Sequence, residues 1–205
     1  MKYTFKPSDL TKEKSLFDIY KSTREIKING FDFYFTVIIA ALLYVNACWL
    51  STPKEIILSI RQWSPLLFGF TTTTLGFLIT GFTIFATINK PGLFLALMGI
   101  DHPDYKLTFL KYVYGVFMRV FIYFITWSAF YLIIMLFGQE NGLSTKVAQA
   151  VNLPYFIKSL GVKVAYISIG SSAIFLVLTL KTFLFNIYNM LMQSLRWEMK
   201  NNTDK

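Results

Sequence analysis

The stretch QWSPLLFGFTTTTLGFLITGFTIFATIN, residues 62–89, carries no charged side chain over 28 positions. A charge at the bilayer centre costs about 2.5–3.5 kcal/mol on the insertion scale, and about 20 residues of helix cross the hydrocarbon. A charge-free run of this length therefore reads as a spanning helix with residues to spare. Outward from it lie two similar windows, 33–50 with 18 residues and 120–139 with 20. A fourth, 164–180, has 17 residues, then Lys181, then 14 more uncharged positions to Leu195. It reads as a helix that crosses and continues past the membrane.

Composition agrees with the windows. Of 205 residues, 55% are hydrophobic, 18% aromatic and only 15% charged, against roughly 25% charged in an average soluble domain. The expected fold class is all-α: a polytopic membrane protein with four transmembrane helices, both termini cytosolic, and short interfacial helices. The expected organisation is a cytosolic amphipathic segment over 1–30, a four-helix transmembrane domain over 31–195, and a cytosolic tail over 196–205. The spans are placed at about 31–50, 66–88, 115–138 and 164–190. Thirty largely polar residues precede the first apolar run, so that run reads as a retained span and not as a cleaved leader.

Orientation follows the Lys/Arg count. Segments 1–30, 89–111 and 196–205 hold seven, three and three, whereas 51–65 and 138–163 hold two and three. Thirteen against five favours both termini on the cytosolic side. The formal net charge of +9 then reflects basic flanks beside anionic headgroups. Direct nucleic-acid binding is not expected, because the lysines of the N-terminal segment alternate with Asp9, Glu13, Asp18 and Glu25. Cys48 is the one cysteine and lies within the first span, so no intramolecular disulfide can form.

The connections carry short elements. Residues 8–28 begin with Ser8 and Asp9 as caps and read as a short amphipathic helix on the membrane or on a partner, with a solvated tail as the alternative. Lys54 to Arg61 reads as a short interfacial helix, and Ser64 with Pro65 is expected to interrupt the chain before the second span. Pro91 and Gly92 break the helix after it. Leu93 to Ile100 is apolar but too short to cross.

Three groups of residues are candidate sites. In the second span Thr72, Gly76, Thr80, Thr83 and Thr87 recur at three- and four-residue intervals, and Gly69, Thr73 and Gly81 widen the stripe. Small residues let membrane helices approach closely, so the stripe is assigned to helix packing within the chain or to a homo-oligomer. A pore lining is a third use, but no other span shows a matching polar face. Arg119 and Lys181 are intramembrane cations that fall near the cytosolic leaflet. They read as snorkelling anchors, with an anionic lipid headgroup or a partner as the alternative ligand and Asp32 as a candidate counter-charge. At the end of the fourth span Asn186, Asn189 and Gln193 repeat at helical intervals among Phe185, Ile187 and Met192. They are assigned as a docking surface for a cytosolic protein partner, an interfacial helix end being the alternative.

No enzyme activity is expected, and no catalytic, cofactor-binding or metal-ligating residue is assigned. His102 stands between Asp101 and Asp104, but no second histidine exists to complete a metal set. Phosphate-binding loops, nucleophile elbows and zinc-protease signatures are absent from the sequence.

The stretch TLGFLITGFTIFATINKPGLFLALM, residues 74–98, with its Gly/Thr-rich helix and Pro-Gly break, resembles the four-span membrane subunits of the Kiwa antiphage defence system. The resemblance covers length, span count and this stretch. It implies a homo-oligomer in the bacterial inner membrane that engages a cytosolic DNA-binding effector and responds to phage attack. Three function classes follow: a sensor or scaffold that recruits a soluble partner, a channel or pore-forming effector, and a small transporter subunit. Paired broken helices, the usual mark of the last, are missing.

Overall fold

Nearly all described residues of each charge-free window lie on a helix, because in hydrocarbon a backbone must satisfy its own N–H and C=O groups within the segment. The computed structural model describes residues 5–27, 29–88, 90–140, 142–151 and 154–203. They form α1 (Pro7–Leu10), α2 (Leu16–Thr23), α3 (Gly30–Val45), α4 (Pro53–Ile88), α5 (Pro91–Met98), α6 (Phe109–Phe137), α7 (Leu143–Ala150) and α8 (Tyr155–Thr203). No strand occurs among the described residues, only an isolated bridge between Asp101 and Thr108. Four helical stretches are long and apolar enough to cross a membrane: Gly30–Trp49, Pro53–Thr87, Phe109–Phe137 and Tyr155–Lys200. The chain is an all-α, multi-pass membrane protein.

Helix ends follow local chemistry. Ser15 caps α2 by accepting the Asp18 N–H at 3.1 Å, while the Asp18 carboxylate accepts the Lys14 N–H at 3.2 Å. The start of α4 is a reciprocal capping box. Thr52 N–H donates to Glu55 Oε2 at 2.7 Å, Glu55 N–H donates to Thr52 Oγ1 at 3.4 Å, and Pro53 occupies the first helical position. α3 ends in one π-helical turn, Asn46–Leu50, closed by Ser51 N–H on Asn46 O at 3.0 Å. That turn is a common local widening of a helix beside a contact. Here the Asn46 amide donates to Tyr166 OH at 2.7 Å.

One difference from the sequence reading concerns α4. Ser64 and Pro65 do not interrupt the chain; the helix runs through Pro65, and residues 54–61 form its first turns rather than a separate element. Membrane helices tolerate an internal proline when nearby hydroxyls bond to the disturbed turn. Ser64 Oγ donates to Ile60 O at 2.7 Å. A second difference is α7, a short helix in a connection where none was expected.

The described residues pack into two compact units. The first comprises those within Met1–Lys27, Gly76–Ile122 and Thr179–Lys205, and the second those within Ile28–Leu75 and Tyr123–Leu178. The first unit is built on rings. Phe82 meets Tyr114 and Phe121 edge-on with centroids 5.6 Å apart in each pair, and Phe117, fully buried, meets Phe85 at 5.5 Å and Phe183 at 5.3 Å. Edge-to-face pairs add about 0.5–1.5 kcal/mol each beyond the area they bury.

The second unit depends on one close approach and two buried hydroxyl pairs. A Cβ on Gly170 would lie 2.5 Å from Leu43 Cδ1 and 3.3 Å from Trp63, so only glycine lets these side chains seat where Trp63 stacks on Tyr166 at 5.0 Å. Ser128 Oγ donates to Thr71 Oγ1 at 2.7 Å, and the Tyr131 and Ser172 hydroxyls share a hydrogen bond at 2.7 Å. An unpaired hydroxyl at such depth would cost more than the pair contributes.

Candidate functional site

The first unit brings the N-terminal segment onto α6. Lys111, Gly115 and Arg119 sit four residues apart and so lie on one helical face. Each meets the segment differently. The Lys111 ammonium is 2.8 Å from both carboxylate oxygens of Glu13, with both side chains only 19% exposed. At Gly115 the backbone comes so close that an added Cβ would overlap the Thr23 methyl and touch Ile26 Cδ1 at 3.8 Å. Arg119 donates through Nη1 to Ile26 O at 2.5 Å and to Thr23 O at 3.4 Å.

Electrostatics explains why an arginine serves there. α2 ends at Thr23, where Thr23 O accepts the Ile26 N–H at 3.0 Å, and the carbonyls at a helix end carry the negative end of the macrodipole. A guanidinium supplies fixed charge and several N–H donors at once. Arg119 is 9% exposed and is engaged with the protein's own backbone. Thr23 Oγ1 donates back to Ile19 O at 2.8 Å, and Lys27 N–H donates to Tyr105 OH at 3.4 Å. That tyrosine belongs to a ring cluster in the 101–112 segment. His102 lies 4.1 Å from the Tyr112 centroid and 5.8 Å from Phe109, and its Nδ1 accepts the Asp104 N–H at 3.1 Å. Among the described residues no three His, Cys, Asp or Glu side chains are grouped to hold a metal ion.

The end of α8 belongs to the same unit. Lys90 is 2.6 Å from Glu198, and Trp197 covers Gly92 so closely that a Cβ there would lie 3.2 Å away. Asn186, Asn189 and Gln193 are half-buried, whereas Phe185, Tyr188, Met192, Leu195 and Met199 face outward. The exposed stripe of this extension is thus aromatic and aliphatic, with the amides beside it. Lys181 is exposed.

The second-span stripe lies on the outside of the chain. Gly69, Thr72, Thr73, Gly76, Thr80, Thr83 and Thr87 are exposed, and Gly81 is half-buried. An added Cβ at Gly69, Gly76 or Gly81 would meet nothing within 4 Å. The hydroxyls are satisfied inside their own helix: Thr80 donates to Gly76 O at 3.0 Å, Thr83 to Ile79 O at 2.9 Å and Thr87 to Thr83 O at 3.1 Å. The α4 face that packs within the chain carries Thr71, Leu78 and Phe85 instead. Close packing through the stripe therefore needs another molecule.

Sequence reasoning missed Lys111, Gly115, Thr23 and Glu13. The signal that could have found them is the four-residue spacing of a basic, a small and a basic residue at the start of a spanning helix. No protein-family model, no curated protein and no solved structure matches the chain.

Proposed function

We propose that this protein is a membrane-embedded sensor or scaffold subunit that self-associates through α4 and recruits a soluble protein at its cytosolic side. The carrying observation is the outward stripe Phe185, Tyr188, Met192, Leu195 and Met199 on the end of α8. α8 has 49 residues, about 74 Å of helix against a hydrocarbon core of about 30 Å. With 164–180 in the hydrocarbon and Lys181 at the leaflet, Phe185 and Tyr188 fall at the end of the span, and Met192, Leu195 and Met199 lie on the part that continues past it. Apolar anchors at helical spacing on a projecting helix suit a groove in a partner.

Two further features support this reading. The Lys/Arg bias assigns the N-terminal segment, the 89–111 connection and the α8 end to the cytosol, and the described residues of the segment up to Lys27, of the connection and of the α8 end fall within one compact unit. The exposed Gly/Thr stripe of α4 has open space at three glycines, which suits a second copy of the same helix at close range. The resemblance of residues 74–98 extends the proposal to a bacterial inner-membrane oligomer whose partner is a DNA-binding effector of antiphage defence.

Purification from native membranes, with neighbouring gene products identified, tests the recruitment. A soluble protein retained at a fixed ratio, with no ion flux from reconstituted liposomes, is the expected outcome. Ion flux without a retained partner would favour a channel or pore-forming effector, and substrate-dependent stabilisation a transporter subunit.

A further inference from the structure

A cavity of about 700 Å³ opens between the N-terminal segment and the start of α6, within the size range of small-molecule sites. Its carboxylates are Asp9, Glu13, Asp18, Glu25 and Asp101. Its ammonium groups are those of Lys12, Lys21, Lys106 and Lys111. Glu13 and Lys111 neutralise each other in their ion pair, which leaves four carboxylates and three ammoniums. In a chain of net charge +9 this wall is locally balanced between the two signs. A purely anionic headgroup finds more repulsion than attraction there, whereas a zwitterion finds a complement for each of its charges.

A second, apolar hollow of about 320 Å³ adjoins it, and Glu13, Ser22, Met98 and Lys111 line both. Leu110, Tyr114 and Met118, four residues apart along α6, form one side of this hollow, and Phe94 and Met98 of α5 contribute to it. α6 is a spanning helix, so the hollow runs along its end in the direction an acyl chain takes. A mixed-charge cavity beside an apolar groove, with lining residues in common, is the arrangement of an amphiphile site.

We propose that the cavity and groove together bind one aminophospholipid, phosphatidylethanolamine, at the membrane surface. Its primary ammonium is held by the cavity carboxylates through charge-assisted N–H bonds, its phosphate by the lysines, and the upper part of one chain by Leu110, Tyr114 and Met118. The site joins the N-terminal segment to α5 and α6, so bound lipid also secures that segment. It does not depend on recruitment of a soluble partner.

The test uses the full-length protein, delipidated in detergent, with native mass spectrometry of bound lipid. Phosphatidylethanolamine, phosphatidylcholine and phosphatidylglycerol of identical chains are added singly. The ethanolamine lipid is expected to bind about tenfold more tightly than either, because trimethylation removes the N–H donors and glycerol removes the cation. Glu25 and Asp101 are both exposed, so E25Q with D101N should leave the helical signal unchanged and abolish the preference. Glycerophosphoethanolamine, the headgroup without chains, should compete only weakly. Equal or tighter binding of the glycerol lipid, a preference that survives the double variant, or headgroup binding as tight as that of the lipid would each overturn the proposal.

Discussion

The Arg119 guanidinium bonds to the Ile26 carbonyl across 93 residues of sequence, a cation placed on the open end of a helix-terminated segment. Removing it takes the donor from the buried Ile26 carbonyl, while Thr23 O keeps the Ile26 N–H at 3.0 Å. Arg119→Met is expected to destabilise docking of the N-terminal segment by about 2 kcal/mol, and Arg119→Lys by less, since charge is kept while the planar fork is lost. Hydrogen exchange of amides 16–26 reads the effect directly. Unchanged protection in Arg119→Met would show that the segment is held by other contacts.

At Gly115 the same interface is limited by volume. Gly115→Ala places a methyl where the Thr23 methyl already sits and should cost about 1–3 kcal/mol. Thr23→Ala removes the obstructing group, so the double variant is expected to be more stable than Gly115→Ala alone. Thermal melts of the three variants in one detergent measure this; additive losses would rule out direct contact.

The cap of α2 responds to pH. The Ser15 hydroxyl, followed by the Lys14 N–H, holds the exposed Asp18 carboxyl below its ordinary value of 3.8. A depressed carboxylate contributes its stability above the unfolded value, so the cap is intact at neutral pH and is lost as pH falls from 3.8 through the lowered value. Ser15→Ala should move the Asp18 titration upward, toward its ordinary value, in a carboxyl NMR experiment. A titration that does not move would remove Ser15 as the cause.

The Gly76 position separates self-association from folding. Because an added Cβ meets nothing within 4 Å, Gly76→Leu is expected to leave the protomer's helical content unchanged while lowering the oligomer size in detergent or nanodiscs. Thr80→Leu, on the same face, should act in the same direction. Light scattering coupled to size exclusion provides the readout, and an unchanged mass for both variants excludes the stripe as the contact between copies.

How much of this could be read in advance depended on whether the signal lay in residue type. The spans are visible because lipid excludes charge, and the windows around 33–50, 62–89, 120–139 and 164–180 have none. Pro65 misled, since hydropathy and turn preference do not register a Ser64 hydroxyl bonded to its own helix. Arg119 stood out by depth, yet its partners are backbone carbonyls, which carry no residue signature. Thr71–Thr74 puts a threonine in every direction, so the sequence cannot say that Thr71 turns inward while Thr72 and Thr73 face out. On α8 the amides and the large apolar residues share one helical period, which leaves the choice of exposed face to the packing.

Recruitment of a soluble partner by the α8 extension is the central claim, and a photo-crosslinking residue at Met199, exposed beyond the span, tests it most directly in native membranes. The same probe at Phe77, exposed on α4, serves as the membrane-embedded reference. The account predicts that the probe at Met199 captures a soluble protein encoded beside this gene, whereas the probe at Phe77 captures lipid or a second copy. Capture of only lipid or a second copy from Met199, in a chain that inserts normally, would contradict it.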